Sequence, residues 1–201
     1  MNQKKLLVLA VVAAFAAMAF AGAGAASATV LCKAAESPCA GANAYPKGTT
    51  LHAVMTEGAL TMKNGLIAGE CLSYTFTSKT STAGSATETV EGFNETLEAA
   101  PCTGNLFFLK VGGYSIHHLT GSSNGQFTIT NFEILLKGSG VECKYGGTFE
   151  AGTLVGGSPA TLKIKATVPK TGGGVLCSAT MTMESGPIEF TTPKPLYVAA
   201  S

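Results

Sequence analysis

The sequence predicts an all-β fold: an antiparallel β-sandwich, or a related barrel, of about ten or more short strands braced by disulfides. Apolar and polar residues alternate with the two-residue period of a half-buried strand in one segment after another. Clusters of Gly, Pro, Asn and Ser interrupt those segments at spacings of about ten residues, as they do in sandwiches and barrels. The six cysteines all follow an export-type leader, and an even number in an oxidising compartment reads as three disulfides.

The alternation is cleanest between residues 141 and 183. Leu162, Ile164, Ala166 and Val168 alternate with Lys163, Lys165 and Thr167, giving one apolar and one wet face. Before it, Val141, Cys143 and Tyr145 alternate with Glu142 and Lys144; after it, Val175, Cys177, Ala179, Met181 and Met183 share one parity. Both thiols then face inward, where a Cys143–Cys177 disulfide would pin the sheet.

From the N-terminus, residues 1–28 read as a secretory signal peptide. Lys4 and Lys5 form the basic start, Leu6 to Ala21 is uninterrupted apolar chain, and Ala26-Ser27-Ala28 is a small-x-small cleavage site that leaves Thr29 first. Leu31 before Cys32 rules out a lipidation site, which needs a small residue there. Residues 29–201 are enough chain for one domain with a real core. Within them, residues 29–48 are expected to form a disulfide-stapled N-terminal lobe around Cys32 and Cys39.

Pro46-Lys47-Gly48 signals a turn into a first strand over Thr49 to Met55. Asn64-Gly65, between Leu60-Thr61-Met62 and Leu66-Ile67, predicts a two-residue hairpin. Leu72, Tyr74 and Phe76 share a face opposite to that of Cys71, which places the Cys71 disulfide near a sheet edge. Ser78 to Thr87 reads as an exposed loop. Residues 88–99 are ambiguous: Glu88, Glu91, Glu95 and Glu98 suit a helix behind the capping box Ser85 to Glu88, whereas Gly92, several Thr and a narrow apolar face favour a strand.

Leu106 to Val111 fits a short buried strand, turned back by Gly112-Gly113 into Tyr114 to Leu119. In Gln126 to Leu136 the inward parity switches between Phe127, Ile129 and Phe132, Ile134, Leu136, so a β-bulge is expected near Asn131. Gly146-Gly147, Gly156-Gly157 and Gly172 to Gly174 punctuate the later strands. Ile188 to Phe190 and Leu196 to Val198 supply the last ones, with Pro193 and Pro195 marking an edge strand or a crossover.

The chain contains no Arg, Asp or Trp. It therefore lacks the guanidinium for bidentate phosphate recognition, the commonest calcium ligand and the usual sugar-stacking platform. With Lys4 and Lys5 set aside, eleven lysines face twelve glutamates, a near-zero balance that argues against a nucleic-acid partner. No membrane contact is expected once the leader is removed. His117 and His118 are adjacent and point to opposite faces of a strand, and no CxxC pair occurs, so neither a metal nor a cofactor is expected.

No spacing selects a pair of glutamates for glycoside hydrolysis, and no nucleophile motif is present. Fifteen cysteine pairings are possible, of which neighbours in sequence are favoured: 32 with 39, 71 with 102, and 143 with 177. If the domain binds a ligand, the expected surface is the loop around Ser78 to Thr87 and the turn Gly121 to Gly125. Tyr45 and Tyr114 would offer stacking there, and Ser122 and Asn124 polar contacts.

The stretches Leu31-Cys32-Lys33, Pro38-Cys39, Ala44-Tyr45-Pro46-Lys47-Gly48-Thr49, Gly140 to Gly146 and Thr191 to Val198 resemble an uncharacterised group of secreted bacterial all-β proteins with paired cysteines. The resemblance implies secretion, the same neighbour-to-neighbour cysteine pairing, and a strand at Thr89 to Ala99. It implies no activity, ligand or catalytic residue. The expectation is a secreted, extracellular or cell-surface, non-catalytic β-domain with a structural or ligand-binding role, whose partner is a cell-wall or extracellular polysaccharide or a protein. The alternative is a secreted glycoside or peptide hydrolase using Glu and His residues.

Overall fold

The computed structural model describes residues 28–138 and 140–201, so the leader lies outside the described residues up to Ser27. The described chain is all β. Its strands are β1 (Val30–Cys32), β2 (Thr50–Met55), β3 (Leu60–Lys63), β4 (Ala68–Cys71), β5 (Tyr74–Thr80), β6 (Val90–Ala99) and β7 (Cys102–Thr103). They continue with β8 (Asn105–Lys110), β9 (Gly113–His118), β10 (Gly125–Gly138), β11 (Val141–Val155), β12 (Ala160–Gly173), β13 (Thr180–Thr192) and β14 (Tyr197–Ala199).

Eight strands close into an antiparallel barrel rather than stacking as a sandwich. The order is β12-β11-β10-β9-β6-β5-β2-β13, and β13 pairs back onto β12 from Ala160↔Phe190 to Pro169↔Thr180. Closure gives both end strands of this order a partner, and an eight-strand barrel has an interior that side chains can fill. They do fill it: Ala160, Leu162, Ile164, Ala166 and Val168 are all buried, alternating with exposed lysines, and pack with Phe190, Ile188 and Phe127 in one continuous core.

Two long strands change partners midway. β10 pairs with β9 from Gly125 to Thr130 and with β8 from Glu133 to Lys137. The switch falls at the bulge between Ile129 and Phe132, where Asn131 adopts φ 54°, so the parity flip marks the place where the strand leaves one neighbour for another. β13 does the same, pairing with β3 at Thr182 to Glu184 and with β2 from Ile188 to Thr192. The break is at Ser185-Gly186-Pro187. A Cβ on Gly186 would sit 1.7 Å from the Glu57 carbonyl oxygen, so only glycine fits. Beyond these switches the same sheet carries β8 on β10, and β3, β4 and β7 in succession on β13.

The disulfides are Cys32–Cys39, Cys71–Cys102 and Cys143–Cys177. The first ties the N-terminal loop beside β1, which pairs antiparallel with β14 as a separate ribbon. The second joins β4 to β7, the outermost strand of the order, at the expected sheet edge. The third fastens the β12–β13 connection to β11.

The ambiguity over residues 88–99 resolves to a strand at residues 90–99, as the resemblance implies. Other local expectations change. Asn64 to Ile67 form a four-residue turn between β3 and β4, because the Asn64 side-chain oxygen accepts from the N–H groups of Leu66 and Ile67 and so uses four residues where two were expected. Gly146 and Gly147 lie inside β11 and do not end it. Residues 175–179 precede β13 and do not extend it: Cys177 is held by its disulfide, and the turn at Val175 and Leu176 reverses the chain.

Candidate functional site

An opening in the barrel wall lined by apolar side chains lies between β6 and β8. β6 pairs with β9 only from Val90 to Phe93, so from Asn94 to Ala99 its second edge has no strand beside it. β8 pairs with β10 alone, leaving its other edge open as well. Asn94 closes the gap at one end, donating from its backbone to the Gly112 carbonyl (3.2 Å) and from its side chain to the Val111 carbonyl (2.9 Å). The pairing of Cys71 with Cys102 closes the other end.

The floor of this slot is apolar. Tyr74, Phe76, Leu97, Phe108, Phe127 and Phe132 line it, with Asn94 the polar group at its rim. The rings pack edge to face, Phe108 against Phe132 at 6.0 Å and Phe132 against Phe149 at 5.8 Å, so the lining is a built aromatic wall. It is narrow: about 20 Å³ admits the centre of a water-sized sphere, room for roughly one water molecule. A ligand would therefore lie across the slot, with at most a small group reaching in.

β8 is apolar on both faces. Leu106 and Phe108 point inward, while Phe107 and Leu109 are about half exposed, as is Phe93 on β6 just before the gap. The sequence marks Leu106 to Val111 as a buried strand, since apolar residues on both parities suit that equally well; the structure makes it an edge strand. Lys137 lies over the Phe107 ring at 5.7 Å, and Lys110 pairs with Glu133 at 3.4 Å. On β6, Glu95 pairs with Lys79 at 2.9 Å, and Glu91 and Glu98 face solvent.

The residues singled out in the sequence do not converge on this slot. Tyr114 is buried and stacks on Phe127 at 5.3 Å, so it offers no surface for a ligand. Burial pushes its hydroxyl up to about 12, moderated by the Ser78 hydroxyl, though neither oxygen completes a hydrogen bond of good geometry. Tyr45 is partly buried; it donates to the Pro195 carbonyl at 2.6 Å, and burial raises its pKa. Ser122 and Asn124 hold their own turn: Ser122 donates to the Leu119 carbonyl at 2.7 Å and accepts from the Asn124 N–H, while Asn124 accepts from the Gly156 N–H. Ser78 and Thr80 belong to β5 and are buried, so the exposed loop starts only after them.

The histidines sit apart. His52 meets the Thr191 hydroxyl at 2.6 Å, His117 is exposed, and His118 is buried with Nε2 2.8 Å from the Ser122 carbonyl. Among the described residues, Cys32, Glu36 and Cys39 are the one group with metal-like proximity, and both thiols are spent in the disulfide. The Glu36 carboxylate accepts from the Asn43 side chain (2.8 Å) and the Ala40 N–H (2.9 Å), which lower its pKa.

Fold and opening together define a disulfide-braced antiparallel β-barrel with a lateral, apolar, strand-edged slot. No family model, curated protein or solved structure matches the chain.

Proposed function

We propose that this is an exported, non-catalytic binding domain that takes an extended apolar segment of a partner protein by strand addition at β8. The observation that carries it is an unpaired edge strand with apolar side chains on both faces, beside a second unpaired edge and over an apolar floor. Such edges are normally blunted by charge, proline or a covering element, because their free N–H and C=O groups template another strand. Strand addition satisfies those groups, and alternate side chains of the guest would meet Phe107 and Leu109 outside and the narrow slot inside.

A protein fits better than a polysaccharide. The rings exposed beside the slot, Phe93 and Phe107, carry no hydroxyl to hydrogen-bond a sugar, while Tyr74, Tyr114 and Tyr145 are buried and Tyr45 is engaged with Pro195. Three disulfides accord with an oxidising, extracellular setting.

The test is titration of the oxidised protein with a soluble peptide of alternating Val and Thr, followed by amide hydrogen exchange. Slower exchange within β8, and binding weakened about tenfold or more by Phe107→Glu or Leu109→Glu, is the expected outcome. No peptide binding, or binding indifferent to both substitutions, overturns the assignment. Incubation with insoluble polysaccharides reads the hydrolase alternative: released fragments that disappear when a glutamate is replaced would establish it.

A further inference from the structure

The β12–β13 connection presents a second surface, far along the strands from the barrel's other end. Gly174 to Cys177 form a tight turn closed by the Cys177 N–H donating to the Gly174 carbonyl at 3.1 Å. Its two corner residues are Val175, 99% exposed, and Leu176, 61% exposed. Turn corners usually carry Gly, Pro, Asn, Asp or Ser, each with a local conformational reason, and two bare aliphatics have none. Leu66, 65% exposed, lies on the neighbouring turn, for the Ser178 hydroxyl donates to the Asn64 carbonyl.

The turn is rigid at its base. Cys177 is bonded to Cys143, its carbonyl accepts from Lys170 Nζ at 3.2 Å, and the Tyr145 hydroxyl donates to the Ser178 carbonyl at 3.2 Å while accepting from Asn64 at 3.0 Å. Lysines surround it. Lys170 touches the turn, Lys144 lies opposite Gly172 in the ladder, and Lys63 immediately precedes Asn64. Lys144 also approaches Glu133 at 3.9 Å, and nearby Glu142 is paired with Lys137. The chain's acidic cluster, Glu88 to Glu98, belongs to the β6 segment instead.

We infer that this tip docks on an anionic lipid surface, with Val175, Leu176 and Leu66 entering the headgroup boundary and Lys63, Lys144 and Lys170 meeting lipid phosphates. A rigid aliphatic point with a collar of lysines has the two ingredients of interfacial binding, buried apolar area and attraction to anionic lipid. A protein partner is the poorer match, because interface hot spots favour Trp, Tyr and Arg and under-use Leu and Val, while Lys is depleted there. This departs from the sequence expectation of no membrane contact after leader removal; a docking turn needs no spanning segment.

The experiment is flotation of the folded, disulfide-intact protein with phosphatidylcholine vesicles, with and without phosphatidylglycerol. Binding should require phosphatidylglycerol and weaken with salt. Val175→Asp with Leu176→Asp should reduce it about tenfold or more, and each of Lys63→Gln, Lys144→Gln and Lys170→Gln about fivefold. Both corner side chains contact little, so the aspartate variant should keep the parent's thermal midpoint. The protein has no Trp, so Val175→Trp gives a single reporter whose emission should shift to the blue on phosphatidylglycerol vesicles and be quenched by brominated acyl chains. No flotation at low salt, equal binding to neutral vesicles, or binding untouched by the aspartate pair overturns the inference. So does an aspartate pair that abolishes capture of a protein while vesicle binding is absent.

Discussion

Tyr145→Phe removes one oxygen from a ring that is completely buried, leaving the ring's packing in place. That oxygen joins three separate pieces of chain: it belongs to β11, accepts from Asn64 in the β3–β4 turn and donates to the Ser178 carbonyl in the β12–β13 connection. Asn64 is itself buried, and its amide would be stranded without water. Leaving a buried donor unsatisfied costs about 1–3 kcal/mol, so a loss of about 2 kcal/mol is expected. For a domain of this size that is a fall of roughly 4–8 °C in Tm. Urea unfolding of the oxidised protein measures it, with an unchanged m value showing that the unfolded state is the same. In an Asn64→Ala background the tyrosine substitution should cost clearly less, since the stranded donor is already gone. A loss under about 0.5 kcal/mol in the parent would refute the view that this hydroxyl locks the two turns together.

Tyr114→Phe should behave in the opposite way, neutral or stabilising by up to about 1 kcal/mol, because its hydroxyl is buried without completing a hydrogen bond and gives up only a desolvation penalty. The same residue shapes the alkaline limb of stability. Its folded pKa, about 12, lies above the unfolded value of about 10, so the folded state keeps its proton longer; stability is whole below about pH 10 and falls as pH rises towards 12. Tyr114→Phe should make that fall shallower in denaturation curves taken across this range, and an identical slope would count against the assignment. Replacing Cys143 and Cys177 together by Ala opens a crosslink of sequence separation 34 and should cost about 4 kcal/mol by equilibrium unfolding, whereas a cost near zero would mean the reduced chain is held by other means.

The sequence reveals periodicity well and closure poorly. Lysines alternating with Leu162, Ile164 and Ala166 can only be a strand wet on one side, and the parity flip across Asn131 can only be absorbed by an extra residue. Sandwich and barrel, however, share the same alternation. What distinguishes them is the pairing of β12 with β13 while β13 also holds β2, a matter of sheet curvature and long-range partners.

The slot was illegible for a related reason. Apolar residues on both parities of β8 describe a strand without naming which edge lacks a neighbour. The tip is hidden in the sequence because the parity of Met181 and Met183 continues back through Cys177 to Val175, beyond the point where the disulfide and the turn take the chain out of the sheet. Tyr114 shows the limit of residue type alone: an aromatic suited to stacking on a ligand stacks instead on Phe127.

The pairing of Val30 with Ala199 sets the first and last described strands side by side, and Gly157, just past the end of β11, bridges to Leu196, just before β14. The Cys143–Cys177 bond lies at the opposite extreme of β11, roughly 40 Å of strand away. The barrel is thus built like a rivet, with β1 and β14 at the head and its point at the far end of the shank. Anything fused after Ser201 would stand clear of whatever the point touches, and in a variant beginning at Thr29 a short bridge from Ser201 would turn the chain into a ring without disturbing the point.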